Sequence, residues 1–280
     1  NANGTSLTSK FPDMPGNDHV GPTPVAGLMV ELWSPYATGI TDVFGYFSIA
    51  TSASVVTVQA ELRTGPAFTM FDEEGNALVS DYYANYPVST FFSLYLNSTP
   101  VGYQTAQVNA WQYLNRIKAH VDSLQARNGL TVTRYNIDVR VNDLASMSSF
   151  GNAFYDDVLY REGLPTIFTS RKTNYTYNFA KSSTIYHEYG HYVVREMTNL
   201  DGNHNDRAHG EGIGDILNVF FVGAPVGGQR YVIGDLDSYT RNIEDGKALS
   251  YTWDSQQQQY IRTELTGLGL WPQAGTTHRK

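Results

Sequence analysis

Two histidines flank a glutamate in the segment His187-Glu188-Tyr189-Gly190-His191, so groups that bind metals and move protons stand close together. On a helix the first and fifth positions lie on one face about a turn apart, and both imidazoles can reach one Zn²⁺ at about 2.0–2.1 Å. Glu188 directly follows the first histidine, where its carboxylate can take a proton from a water on the metal. The spacing predicts a zinc site on a helix with Glu188 as general base; the alternative is a surface helix with two histidines and a glutamate.

A third ligand is predicted further along the chain. Glu211 lies 20 residues after His191, at the start of another helical pattern. A catalytic zinc site uses three protein ligands and a water, and two His with one Glu form one of the known sets. Asp215, one turn after Glu211, is placed to accept a hydrogen bond from the non-ligating nitrogen of His187 or His191. The alternative for the two acids is the preference of helix N-termini for negative charge.

Two other classes of site stay open. The chain has no cysteine, so disulfides and thiolate ligands are excluded and any metal must be held by His, Asp or Glu. A structural zinc site would need a fourth protein ligand, for which His204 and His209 are the nearby residues. The other alternative is a zinc-binding pseudopeptidase or a secreted binding protein, with impaired catalysis in either case, whose N-terminal part would be the working unit.

The order of these motifs resembles a known family. His-Glu-x-x-His at 187–191, followed by Gly-Glu-Gly-x-x-Asp at 210–215, is similar to the gluzincin metallopeptidases of the thermolysin and fungalysin groups. The second motif is closer to fungalysins, and the separation of the motifs is closer to thermolysin-like enzymes. The resemblance covers roughly residues 100–278. It implies a zincin-like catalytic domain that holds one zinc ion and hydrolyses an internal bond of a peptide or protein substrate.

The resemblance also implies roles for residues outside the two helices. Asn152 and Ala153 open a segment similar to the family's edge strand, which pairs with the substrate backbone. Arg241 matches the arginine that bonds a substrate carbonyl, and His278 matches the late histidine that stabilises the oxyanion. Taken alone, Asn152 would be a turn residue, Arg241 a surface ion-pairing residue and His278 part of a frayed tail.

The chain departs from the family pattern in three respects. The interval 197–206 lacks the tyrosine that serves as an oxyanion partner in thermolysin-like enzymes. The C-terminal lobe is very short, and we expect it to be truncated at Lys280. Calcium is common in related enzymes, but only residues 235–237 offer a weak match to a calcium loop, so zinc is the only metal that we predict.

The elements that must position these residues follow from hydrophobic periodicity. Apolar residues recur at three- and four-residue steps from Thr105, which can cap a helix that ends at Asn128-Gly129. The same pattern predicts helices over 182–197, 209–222 and 256–265. Strands are predicted at the following ranges: 131–141, 166–170 and 230–233.

The N-terminal part has a different pattern. After a polar lead-in over residues 1–20, short alternating runs are divided by Gly, Pro and Asp, as in an antiparallel β-sandwich. Strands are expected at 30–33, 46–49, 55–62 and 68–83, with turns at 41–45 and 73–76. The segment resembles a carboxypeptidase-regulatory-like, transthyretin-type module. We therefore predict an α+β protein with a β-sandwich over 1–95 and a zincin-like catalytic domain over 96–280.

Composition excludes several function classes. The 280 residues carry a net charge of −8 without a Lys/Arg block, which argues against nucleic-acid binding. No apolar run approaches the roughly 20 residues that a membrane span requires. Charged residues are only 16% of the chain, well below the usual level of about 25%, as is common in secreted bacterial proteins. We expect an extracellular protein whose signal peptide is not present in this sequence, which begins at Asn1.

Overall fold

The computed structural model describes thirteen segments of the chain: 2–5, 22–88, 91–99, 102–130, 136–143, 153–156, 164–171, 179–198, 204–222, 226–227, 241–242, 248–254 and 259–265. Within them the protein is mixed α/β, with two four-stranded sheets and three helices. No helix in these segments combines the length and the apolar character needed to cross a membrane.

Eight strands precede the first helix: β1 (Ala2–Thr5), β2 (Pro22–Pro24), β3 (Met29–Trp33), β4 (Ala37–Ile40), β5 (Val55–Glu61), β6 (Phe68–Asp72), β7 (Ser80–Pro87) and β8 (Leu94–Leu96). The central part contains α1 (Gly102–Arg127), β9 (Ile137–Asp143), β10 (Ala153–Asp156), β11 (Thr166–Ser170), α2 (Ser182–Thr198) and α3 (His204–Val222). Four strands follow α3: β12 (Val226–Gly227), β13 (Arg241–Asn242), β14 (Ala248–Asp254) and β15 (Gln259–Leu265).

The first sheet is antiparallel in the order β4-β3-β5-β7. Alternate residues of β3 and β5 face the core, which is the period of two that the sequence predicts. These residues are Val30, Leu32, Val56, Val58 and Ala60. The predicted turn at 41–45 is confirmed, since Asp42 Oδ1 accepts hydrogen bonds from the amides of Phe44 and Tyr46. The strand predicted at 46–49 is wrong, because this segment has no ladder partner and continues as irregular chain.

The second sheet has the order β10-β11-β9-β6 and is mainly parallel. Every residue of β9 and β11 is buried, as expected for parallel strands that are covered on both faces. The assignment of β6 to the N-terminal β-sandwich is wrong, because Phe68 pairs with Ile137 of β9. The boundary at 95/96 stays a prediction, although one strand from before it completes a sheet that lies mostly after it.

Helix α1 connects the first sheet to the helix that carries the histidines. Trp111 Nε1 donates to the Ala26 carbonyl at 2.9 Å, and Asn109 Nδ2 donates to the Ala180 carbonyl at 3.2 Å. The ring of Tyr113 packs edge-on against Tyr186 of α2, with centroids 5.7 Å apart. One continuous core runs from the first sheet through α1 to α2. The first turn of α2 is therefore held against a rigid support.

All four helix predictions can be compared with the structure, and the helix predicted from Thr105 is confirmed as α1, which begins at Gly102. The helix over 182–197 is confirmed as α2, and α3 begins five residues before the predicted start at 209. The helix predicted over 256–265 is wrong, because residues from Gln259 onward pair antiparallel with β14 and form β15. The β-branched Ile261 and Thr263 suit a strand, and this tertiary pairing overrides the weak helical pattern. The strand predicted at 230–233 lies outside the described residues.

Candidate metal centre

The apolar face of α2 determines where its polar face points. Ile185, Tyr189 and Tyr192 are at most 1% exposed and pack into the core. The helix starts with the Ile185 amide donating to the Lys181 carbonyl at 2.9 Å. With this face turned inward, His187 and His191 emerge on another face, where their ring centroids lie 4.9 Å apart at an interplanar angle of 84°.

Helix α3 brings the predicted third ligand to both histidines. Glu211 Oε2 lies 3.2 Å from His187 Nε2, and Glu211 Oε1 lies 3.7 Å from His191 Nε2. One ligand atom from each of the three residues lies within 4.8 Å of the others. Tetrahedral zinc with bonds of about 2.0–2.1 Å separates its ligand atoms by about 3.4 Å. The donor set and its spacing therefore fit a small divalent ion.

The structure shows which of the two histidines Asp215 contacts, a point that the sequence left open. Asp215 Oδ1 lies 3.0 Å from His187 Nδ1, so its partner is His187, and its side chain is only 5% exposed. An acceptor at Nδ1 holds the proton there and turns Nε2 toward the metal position. Burial alone would lower the pKa of His187, but hydrogen bonds to Asp215 and Glu211 and the charge of Glu188 raise it to about 10. The carboxylates thus create a strongly cation-favouring environment.

Glu188, the predicted general base, is 7% exposed. Its carboxylate is close enough to His187 to raise the pKa of that imidazole. A buried carboxylate is stable only beside positive charge or hydrogen-bond donors, and a divalent ion on the neighbouring histidines would supply such charge. The burial of Glu188 is therefore consistent with a metal at this position.

Within the described side chains, the ligand group has three members. The side chains of His204 and His209, which a structural zinc site would need, lie outside the description. Among the described side chains, three donors would leave one corner of a tetrahedral metal site open.

The remaining predicted residues divide into two groups. Asn152, His278 and the weak calcium segment at 235–237 lie outside the described residues. Ala153 is buried in β10, which forms one edge of the second sheet as described. Arg241 belongs to the backbone pair of β13 with β12, and β12 contacts α3.

A contact between two glycines of α2 and α3 was not predicted from the sequence. Gly190 of α2 and Gly214 of α3 meet at a backbone contact. The signal was present, because glycine inside a helix costs about 1 kcal/mol relative to alanine and calls for a packing reason. The partners of these glycines depend on how the helices cross, which the sequence does not reveal.

Comparison with models of known protein families finds no match to this chain. Comparison with curated protein sequences also finds no match.

Proposed function

We propose that this protein is a zinc-dependent metallopeptidase of the gluzincin type. The observation that carries the proposal is the convergence of His187, His191 and Glu211 from two crossing helices, with Asp215 behind His187. The set contains no sulfur ligand, and the described side chains provide three donors, so a fourth corner would be open for a water, which suits zinc in a hydrolytic site. An extracellular location belongs to the same proposal.

In the proposed reaction Glu188 moves the proton. When bound, zinc would lower the pKa of a water and polarise the scissile carbonyl. Glu188 accepts a proton from the attacking water and delivers it to the leaving amine. Glu188 directly follows the first ligand and its charge acts on the His187 imidazole, so its carboxylate would lie beside the reacting centre, as proximity catalysis requires. Asp215 keeps His187 in the tautomer that leaves Nε2 free as a ligand.

The substrate would lie along β10 in extended form. An edge strand offers unpaired backbone groups to an incoming peptide, and β10 contacts α2, with Tyr155 and Tyr192 in ring contact at 6.2 Å. Ala153 and the amide of Asn152 would hold the peptide backbone. By the resemblance to gluzincins, Arg241 would bond the carbonyl beside the scissile bond. His278 would stabilise the oxyanion.

The second candidate function is a zinc-binding pseudopeptidase, or a secreted binding protein whose N-terminal part does the work. The observation that favours it is the exposure of large rings on the first sheet: Trp33 is 48% exposed, Tyr36 63% and Tyr82 66%. Exposed aromatic rings frequently mark recognition surfaces. In this case the metal centre would bind zinc without turnover.

The test compares the parent with Glu188→Gln. We expect both proteins to contain one zinc ion per chain, and proteolysis of casein to fall by about 100- to 10,000-fold in the variant, as for loss of general acid–base catalysis. Equal proteolysis by the two proteins would refute the mechanism. Zinc binding by a parent that cleaves no peptide would favour the second candidate.

A further inference from the structure

The helices α2 and α3 touch through two glycines. A Cβ atom at Gly190 would lie 2.5 Å from Gly214 Cα and 2.9 Å from Gly214 N. Both distances are below 3.0 Å, a separation that real Cβ atoms essentially never show. The obstructing atoms are backbone, so a rotamer change cannot relieve the clash. A side chain at Gly190 would require the helices to move apart.

A side chain at Gly214 would clash with a residue of the metal site itself. A Cβ atom at Gly214 would lie 2.8 Å from His187 Nδ1 and 2.9 Å from the His187 carbonyl oxygen. Nδ1 is the atom that Asp215 contacts at 3.0 Å. Gly214 lies between Glu211 and Asp215 in sequence, so the residue that permits the contact is flanked by the two acids that reach His187.

The geometry points to Gly190 and Gly214 as positioning residues of the metal centre. Their contact sets a helix separation at which Glu211 reaches both histidines and Asp215 reaches His187 Nδ1. The inference rests on the proposed function only in requiring that a divalent ion bind at His187, His191 and Glu211. Peptidase activity is not needed for it.

A simple packing role would make a different prediction. If the glycines served only to bring two helices together, substitution would lower the stability of the fold and leave the metal affinity of the folded molecules unchanged. If they position ligands, a small increase in separation weakens binding in molecules that are still folded. The increase also favours a larger ion with longer bonds, such as Cd²⁺, over Zn²⁺.

The chain offers a matched control on the same helix. A Cβ atom at Gly212 would have nothing within 4 Å. Gly212→Ala therefore makes the same chemical change two residues from Gly214 and gains helix propensity without a clash. Any effect of alanine substitution as such would appear in this control.

The experiment uses the full chain as parent, Gly190→Ala, Gly214→Ala and Gly212→Ala. Zinc and cadmium affinities are measured by competition with a chromophoric chelator, and folding is followed by circular dichroism. We expect both contact variants to keep their helices and to lose zinc affinity by about 10- to 100-fold, as when an outer partner of a ligand is removed. The ratio of cadmium to zinc affinity should rise in both, and Gly212→Ala should stay within about threefold of the parent.

The outcomes distinguish a failure of the proposed function from a failure of the inference about the two glycines. Absence of zinc binding in the parent would overturn the proposed function and this inference together. Zinc binding by the parent without proteolysis would leave the inference standing. Folded contact variants with parental zinc affinity would overturn the inference alone. If a contact variant fails to fold, the measurement is repeated in sucrose, which favours compact states. Failure to fold there would assign the glycines to packing and overturn the inference.

Discussion

The crossing of α2 with α3 and the outer surface of the first sheet both contain tyrosines, in opposite environments. Tyr189 and Tyr192 on α2 are 0% and 1% exposed, whereas Tyr36 and Tyr82 near the first sheet are 63% and 66% exposed. Buried rings supply packing area that holds neighbouring groups in place, and exposed rings leave that area to a partner. The crossing is therefore built as a rigid site, and the outer surface of the first sheet is available for contact.

The polar groups show the same contrast. Glu188 and Asp215 are nearly inaccessible, and burial of a carboxylate is costly unless a positive group or donor lies beside it. Near the first sheet, the Tyr36 hydroxyl donates to Glu31 Oε1 at 3.2 Å, in an exposed hydrogen bond. Buried charge that is held by specific partners therefore distinguishes the metal centre from the first sheet, where this hydrogen bond is open to solvent.

The largest expected effect is at the metal centre. Glu211→Ala removes the one ligand that contacts both histidines, so zinc affinity should fall by at least about 1000-fold, beyond the 10- to 100-fold loss typical of an outer partner. Chelator competition measures it, with Tyr82→Ala as the control from the first sheet. Parental affinity in Glu211→Ala would show that the convergence of the three residues does not bind the ion.

Removal of a buried ring should be the next largest effect. Tyr192→Ala leaves a cavity where the ring now packs against Tyr189 and Tyr155, with centroids 5.4 Å and 6.2 Å away. Truncation of a buried aromatic side chain lowers the free energy of unfolding by about 3 kcal/mol or more. Urea denaturation of the metal-free protein measures it. A loss below about 1 kcal/mol would mean that α2 is not supported by these rings.

A smaller effect is expected at the residue behind His187. Asp215→Asn keeps a hydrogen-bond acceptor near Nδ1 but removes the charge, so zinc affinity should fall by about 10- to 100-fold. The matched variant Glu196→Gln neutralises another acid, on α2, that takes no part in this hydrogen bond. Equal losses in the two variants would indicate a general charge effect in place of a specific one.

The proton on His187 gives a pH-dependent prediction. Its pKa in the folded metal-free protein is raised from 6.5 to about 10, so its stabilising contribution is complete below about pH 6.5 and disappears as the pH rises through about 10. A metal ligand must be neutral, and zinc binding at pH 8 should therefore release about one proton from this imidazole. Titration calorimetry in two buffers with different ionisation enthalpies measures it. Identical heats in the two buffers would contradict the prediction.

The sequence predicted which three residues come together as a possible metal-binding group better than it predicted the topology around them. His187, His191 and Glu211 were identifiable because ligand chemistry limits residue type and spacing, and the helix period then places two of them on one face. The partner of Asp215 was not decidable, since the choice between two rings depends on the crossing angle of two helices.

Pairing between distant strands explains why parts of the fold were predicted wrongly. Phe68–Asp72 alternates like its neighbours in the first sheet, but β6 pairs with β9, which lies beyond α1 in the chain. The apolar residues of Gln259–Leu265 fit neither a helical nor a strand period clearly, and this segment forms a strand because it pairs with β14. Local periodicity reports which face of a segment is apolar, and does not report which sheet receives it.

The sequence likewise does not show which individual rings are exposed. Truncation of an exposed ring has the smallest effect that we expect. Tyr82 lies in β7 opposite Gln59 of β5, and two thirds of its side chain is open to solvent. Tyr82→Ala should therefore change the free energy of unfolding by no more than about 0.5 kcal/mol, as is usual for surface substitutions. Urea denaturation of Tyr82→Ala and Tyr192→Ala under the same conditions measures both changes in the free energy of unfolding. A loss in Tyr82→Ala as large as that in Tyr192→Ala would remove the contrast between the two regions, since the exposed ring would then be a packing residue of the first sheet.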